Sequence, residues 1–190
     1  MGRRMMKLFG LLFWSLLAGV QLQAAWTGSS LIPLLLSAES ALIAFRLRVQ
    51  RREASSTVSS GKHLAAWLSL FAPLAMQGAN ASRLGNILGV AGLLLTLWAL
   101  WTLGPAFGIA PADRGLVAAG PYRFLRHPMY AGALLNALGF LDANLNLWNG
   151  IIFGLVVASA TMRIRWEEQV IQDYRSYTAS VPFRLIPGIW

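Results

Sequence analysis

The 190-residue chain contains no cysteine. That absence excludes disulfides, thiolate metal sites and cysteine nucleophiles. Imidazole is nearly as scarce, since only His63 and His127 supply it, and no metal site is expected. Charge is scarce too. Asp, Glu, Lys and Arg make up 12% of the residues, against about 25% in soluble domains. Apolar residues fill the place, at 56%, where soluble domains have about 45–50%. A soluble domain of this length has no means of hiding so much apolar surface. A bilayer does, because lipid solvates the outer faces.

Net charge is nonetheless +9, from 16 basic and 7 acidic residues. Nucleic-acid binding is one explanation, and the positive-inside rule is the other. The positions of the charges decide. Six apolar segments are visible: Leu8–Ala25, Leu31–Phe45, Leu64–Met76, Ile87–Leu103, Met129–Leu141, and one from Leu147 past Ala160. A spanning helix needs about 20 residues, so the third and fifth reach across only with their flanks or as part of a helical hairpin. With the N-terminus inside, the inside loops are 1–7, 46–63, 104–127 and 161–190. They hold 15 of the 16 basic residues, leaving Arg83 outside. Insertion physics demands that asymmetry, and no nucleic-acid partner is expected.

The first segment, with Arg3, Arg4 and Lys7 before it and Gln21–Ala25 at its end, also resembles a cleavable signal peptide. A retained helix is the preferred expectation, because no soluble domain follows for export. Residues 50–61 form a polar, serine-rich inside loop expected to be mobile. Glu39 falls midway along the second segment, where an ionisable group faces protein or a water-filled cavity. A structural polar contact to Ser or Asn neighbours is expected for it. The fold expectation is therefore an all-α polytopic membrane bundle of about five or six transmembrane helices. Residues 1–83 supply N-terminal helices and a basic loop, and residues 84–190 carry the chemistry.

The chemistry gathers at two places. Gly120-Pro121-Tyr122-Arg123 marks a turn, and Arg126-His127-Pro128-Met129-Tyr130 follows. Pro128 suits the first turn of the fifth helix, which puts Arg126 and His127 at a helix start on the inner face. Free backbone donors there attract an anion such as a carboxylate. The second place is the end of the sixth segment, with Arg163, Arg165, Glu167 and Glu168. Alone, it is an ordinary juxtamembrane ion-pair cluster. The short Asp142–Asn146 turn makes the fifth and sixth helices an antiparallel C-terminal hairpin, bringing both places to one side.

Arg126-His127-Pro128-Met129-Tyr130, the Glu167-Glu168 pair, and Tyr174, Tyr177 and Pro187 in the tail resemble, in order, the motifs of the isoprenylcysteine carboxyl methyltransferase family and its phospholipid methyltransferase relatives. The resemblance covers about residues 84–190. The stretch between Glu168 and Tyr174 is shorter than is usual there. The resemblance implies an S-adenosylmethionine-dependent methyltransferase with a cytoplasmic cofactor pocket under the C-terminal tail. It implies cofactor binding by Gly120, Tyr122, His127, Tyr130, Glu167 and Glu168. It places Arg126 and Arg163 nearer an acidic acceptor, and gives His127 the proton of an amine acceptor. The acceptor expected is an amphiphilic small molecule or lipid in the bacterial inner membrane, with both chain termini cytoplasmic. Sterol-type NADPH-dependent membrane reductases share a similar Arg-His-Pro-x-Tyr segment, but carry Asn where this chain has Met129. They are the alternative expectation.

Overall fold

The computed structural model describes residues 3–28, 30–51, 71–109, 113–171 and 174–190. Residues 64–70 of the third apolar segment, residues 52–61 of the serine-rich loop, and His63 lie outside the described residues. Of the described residues 75% are helical, and no strand occurs among them. The all-α expectation holds.

Each helix begins and ends on recognisable local chemistry. Helix α1 runs over Arg3–Thr27 and α2 over Leu31–Arg48. The Ser30 hydroxyl caps α2 by accepting from the Ile32 N–H, and Arg46 and Arg48 in the last turn suit the negative end of the helix dipole. Helix α3 spans Arg83–Leu103. Ser82 caps it, accepting from Gly85 N at 2.7 Å. It stops at Gly104, with φ +56°, followed by Pro105. Helix α4, Pro128–Ala143, starts with proline in the first turn, where no backbone donor is missed. Helix α5, Leu147–Val170, is capped by Asn146, and a short α6 follows over Tyr174–Ser180. Most helices outrun the apolar segments because polar residues continue the helix beyond the apolar span.

Helices α1, α3 and α5 are long and apolar enough to cross a membrane. Helix α2 carries Glu39, Arg46 and Arg48 in its 18 residues. Helix α4 has 16 residues, or about 24 Å at 1.5 Å per residue, short of the ~30 Å hydrocarbon core. The three long helices, with the family assignment below, make this a membrane protein.

Contacts along the helices fix their directions. Lys7 Nζ donates to the Arg48 carbonyl at 3.4 Å, so α1 and α2 are antiparallel. Arg46 Nη2 donates to Trp101 O at 3.0 Å, while Ile32 packs at Gly89, so α2 and α3 are parallel. The bundle therefore has a basic end, holding Lys7, Arg46, Arg48, Arg126, Arg163 and Arg165, and an opposite end holding Arg83. At that opposite end Asn149, fully buried, accepts from Gln77 N at 2.9 Å. It donates to Gln77 O and to Asn144 O, each at 2.7 Å. Asn144 in turn accepts from Asn80 N at 3.0 Å. Two asparagines thus pin residues 77–80 to the α4–α5 turn.

Helices α4 and α5 are the antiparallel neighbours expected from their short connection. The closest approach is a different one. Helix α3 meets α4 through glycines, where a Cβ on Gly92 would lie 2.5 Å from Gly132 O, and one on Gly139 would lie 2.5 Å from Gly85 O. No larger residue fits such backbone contact, the small-residue mode of membrane helix packing.

Candidate active site

The basic end is built around the start of α4. Gly120, at φ +53°, opens a 3-10 turn over Gly120–Arg123. A Cβ there would lie 2.6 Å from Thr102 Oγ1, so glycine lets the turn lie against α3. The turn buries Tyr122, whose carbonyl accepts from the Tyr177 hydroxyl at 2.6 Å.

Arg126 and His127 hold the C-terminal tail through four consecutive carbonyls. Arg126 Nε donates to Val181 O at 2.7 Å and Nη2 to Pro182 O at 2.6 Å. The backbone N–H of Arg126 donates to Phe183 O at 2.9 Å, and that of His127 to Arg184 O at 3.0 Å. These backbone donors, expected from sequence to be free for an anion, are taken by the tail. A helix start covered by chain satisfies its donors within the chain.

Tyr130, two residues into α4, donates its hydroxyl to Glu167. Arg163 lies 3.9 Å from Glu167 Oε1 and stacks over the Tyr130 ring at 5.2 Å. His127 stands between the two glutamates, with Nδ1 3.8 Å from Glu167 Oε2 and Nε2 3.4 Å from Glu168 Oε1. The Tyr174 hydroxyl lies 3.2 Å from His127 Nε2 and donates to Glu168 at 3.1 Å. Arg184 grips Glu168 with Nε and Nη2, both at 2.9 Å. That bond raises the Arg184 pKa. Burial, with Glu168 adding its charge, pushes the Tyr174 phenol well above its ordinary range, so Tyr174 is a hydrogen-bond donor at neutral pH. Burial and then Glu167 do the same to Tyr122. Burial brings Tyr177 to about 12, against the lowering pull of Arg126.

Two spaces meet here. A pocket of ≈ 90 Å³ bears the polar groups of Tyr122, Arg126, His127, Tyr130, Glu167 and Arg114 in a wall completed by Leu103, Leu116, Val117 and Ile171. An apolar cavity of ≈ 180 Å³ runs among the helices, past Leu93, Leu100, Ala137 and Val156. Met129 and Tyr130 line both.

All eight site residues expected from sequence lie at this end. Tyr122, Arg126, His127, Tyr130 and Glu167 face the pocket. Arg163, buried and donating to Ile109 O at 2.8 Å, lines the apolar cavity instead. Glu168 faces the tail, and Gly120 packs on α3. Two arginines were missed. Arg114, buried in the pocket wall, sits beside Asp113 in a glycine-bearing loop. That adjacent charge pair was the signal for it. Arg184 has no local signal, because its partner is 16 residues away. The expected partner of Glu39 is also absent, since it makes no hydrogen bond among the described residues. Ser40 bonds Gln21 at 2.8 Å and Ser37 bonds Ala18 O at 2.9 Å instead.

Fold and site together define a membrane helical bundle with an arginine- and glutamate-bearing pocket at one end, opening beside an apolar intramembrane cavity. The chain belongs to the phospholipid methyltransferase family, which matches residues 80–177, just over half its length, and which falls in the isoprenylcysteine carboxyl methyltransferase-like group. It is also similar to the uncharacterized protein YpbQ of Bacillus subtilis (strain 168), at 31% identity over 124 residues, covering 59% of this chain and 71% of that protein. No solved structure matches. The family supports methyl transfer, and the reductase alternative finds no support.

Proposed function

We propose that the protein is an S-adenosylmethionine-dependent methyltransferase acting on an amphiphilic acceptor, either a carboxylate such as an isoprenylcysteine-like group or a lipid amine. The observation that carries this reading is the wall shared by the arginine- and glutamate-bearing pocket and the apolar cavity at Met129 and Tyr130. A polar cofactor and an apolar acceptor have separate compartments with one boundary between them, where their reacting atoms would meet.

The donor set fits the cofactor. Its carboxylate suits Arg114, and its amine suits Glu167, while Arg126 holds the tail beside them. Its sulfonium suits the aromatic faces of Tyr122 and Tyr130, since cations favour such faces. The ≈ 90 Å³ of this pocket is below the ~300 Å³ of ordinary ligand sites, so binding requires its walls to move apart. When bound, S-adenosylmethionine supplies an electrophilic methyl group on a positively charged sulfur, which leaves as a neutral thioether. The chain's own part is alignment and the exclusion of water. Tyr130, held by Glu167 and Arg163, fixes the boundary. His127 Nδ1, on the Glu167 side, takes the proton that an amine acceptor loses, whereas a carboxylate acceptor has none to lose. Arg163 stands on the cavity side, where an acidic acceptor would find it.

The basic end is assigned to the cytoplasm, with both termini there, in a bacterial inner membrane. The test uses purified protein in nanodiscs. Isothermal titration with S-adenosylhomocysteine should show saturable binding, and labelled S-adenosylmethionine should pass its methyl group to an extractable lipid. Absence of both would overturn the reading.

A further inference from the structure

We infer that Glu39 is a specificity-determining residue, hydrogen-bonding a polar group set within the apolar body of the acceptor, inside the intramembrane cavity. This rests on the proposed methyl transfer only in calling the occupant an acceptor.

Glu39 lines the cavity that continues past Met129 and Tyr130. The parallel run of α2 and α3 sets it roughly level with Thr96, well inside the bundle. Most polar side chains around that cavity are satisfied within the chain. Ser40 donates to Gln21, Thr96 to Gly92 O at 3.0 Å, and Ser159 to Val156 O at 2.9 Å. Glu39 and Asn136, also in the lining, have no side-chain hydrogen bond among the described residues. Trp14 lines the same space with 8% of its surface exposed, and its indole N–H has no hydrogen-bond partner among the described residues.

A carboxyl group at this depth is costly, and where it occurs it faces protein or a cavity and marks a ligand path. A structural role would show as a bond to a neighbouring helix, and α1 and α3 each offer polar groups that bond elsewhere. With no partner for Glu39 among the described residues, the group that would meet it is the occupant of the cavity. A plain hydrocarbon offers it nothing. An apolar chain carrying a hydroxyl, carbonyl or amide at the right distance from its head satisfies Glu39 and is placed in register with Tyr130. Polar groups left unpaired when the wrong ligand binds are what give such a site its discrimination.

The experiment exposes nanodisc-embedded protein to palmitic acid and to a positional series of its monohydroxylated forms, reading retention by native mass spectrometry. One hydroxyl position should bind about tenfold more tightly than the parent, the worth of one hydrogen bond. Glu39→Leu should erase that preference, with the parent then held at least as tightly as its hydroxylated forms. Glu39→Gln, which keeps a donor and an acceptor in place, should retain part of it. Melting temperature reports folding, and Glu39→Met replaces the leucine variant should the latter not fold. A wild-type protein indifferent to hydroxyl position, or a preference that survives the apolar substitution, overturns the assignment. Titration with S-adenosylhomocysteine on the same samples is a separate arm. Its failure would remove the methyl-transfer reading while leaving the hydroxyl preference legible.

Discussion

At the residue scale, Glu167 and Glu168 show how far adjacency in sequence falls short of equivalence. Successive residues on a helix point about 100° apart. Glu167 thus turns toward Tyr130 and the pocket, and Glu168 toward Arg184 and the tail. Their substitutions should separate. Glu167→Gln should weaken S-adenosylhomocysteine binding by about ten- to a hundredfold, the cost of one charged hydrogen bond, with the tail still protected from hydrogen exchange. Glu168→Gln removes the negative charge shared by Arg184, Arg126 and Tyr174 and turns one of its two acceptor oxygens into a donor, so residues 181–190 should exchange faster by mass spectrometry while the pocket-facing carboxylate stays in place. Equal effects of both changes on binding and on exchange would contradict the division. The sequence displayed an acidic pair and an Arg-His-Pro-x-Tyr segment, which was enough to locate the site. The division of labour depends on Arg184 and on the four tail carbonyls held by Arg126 and His127. The first contact spans 16 residues and the others more than fifty, and no local pattern announces them.

At the element scale, helix positions were legible and helix partners were not. Long apolar runs bounded by Ser30, Ser82, Pro128 and Asn146 mark where helices begin, because capping and proline chemistry are local. The short α4–α5 connection correctly makes those helices neighbours, but connection length says nothing about closeness. Closeness follows from Gly85, Gly89 and Gly92 on α3 meeting Gly132 and Gly139 on α4, a stripe that an apolar-run reading counts only as more apolar residues. Lipid tails attract apolar side chains as well as helices do, so in a bilayer the tightest pair is the one whose backbones can touch. Gly92→Val should therefore force α3 from α4 and lower stability by about 1–3 kcal/mol, the usual cost of overpacking, with a fall in melting temperature in nanodiscs. Gly150→Val serves as the control. Nothing lies within 4 Å of a Cβ at that position, and no comparable fall is expected. At the far end, Asn149→Ala leaves Gln77 and Asn144 without their partner in a buried site, and should cost about 1–3 kcal/mol.

At the scale of the whole molecule, the packing of the helices gathers the basic loops at one end, as the proposed orientation requires. The charge argument uses only the sequence and assigns the basic loops to the cytoplasm. The packing argument uses only contacts. Lys7 meets Arg48, Arg46 meets Trp101, Arg51 N donates to Pro105 O at 2.8 Å, and Arg163 meets Ile109. Four contacts thus gather the basic loops at one end, while Gln77, Asn80, Asn144 and Asn149 interlock at the other. A chain whose basic loops had fallen at both ends would have broken the positive-inside argument, and this one does not. In the proposed orientation the site would face the compartment where S-adenosylmethionine is made, with the apolar cavity among the helices that would lie in lipid. Orientation is directly measurable because the native chain has no cysteine. Asn144 is buried and bonded, so it is a poor position for a label. Leu145 beside it is 79% exposed, and Phe124 on the opposite end is 66% exposed. In intact bacterial cells a membrane-impermeant maleimide should label Leu145→Cys and leave Phe124→Cys unlabelled, and both should react once the membrane is opened. Labelling of Phe124→Cys alone in intact cells would invert the molecule and place the proposed pocket on the side where no cofactor is supplied.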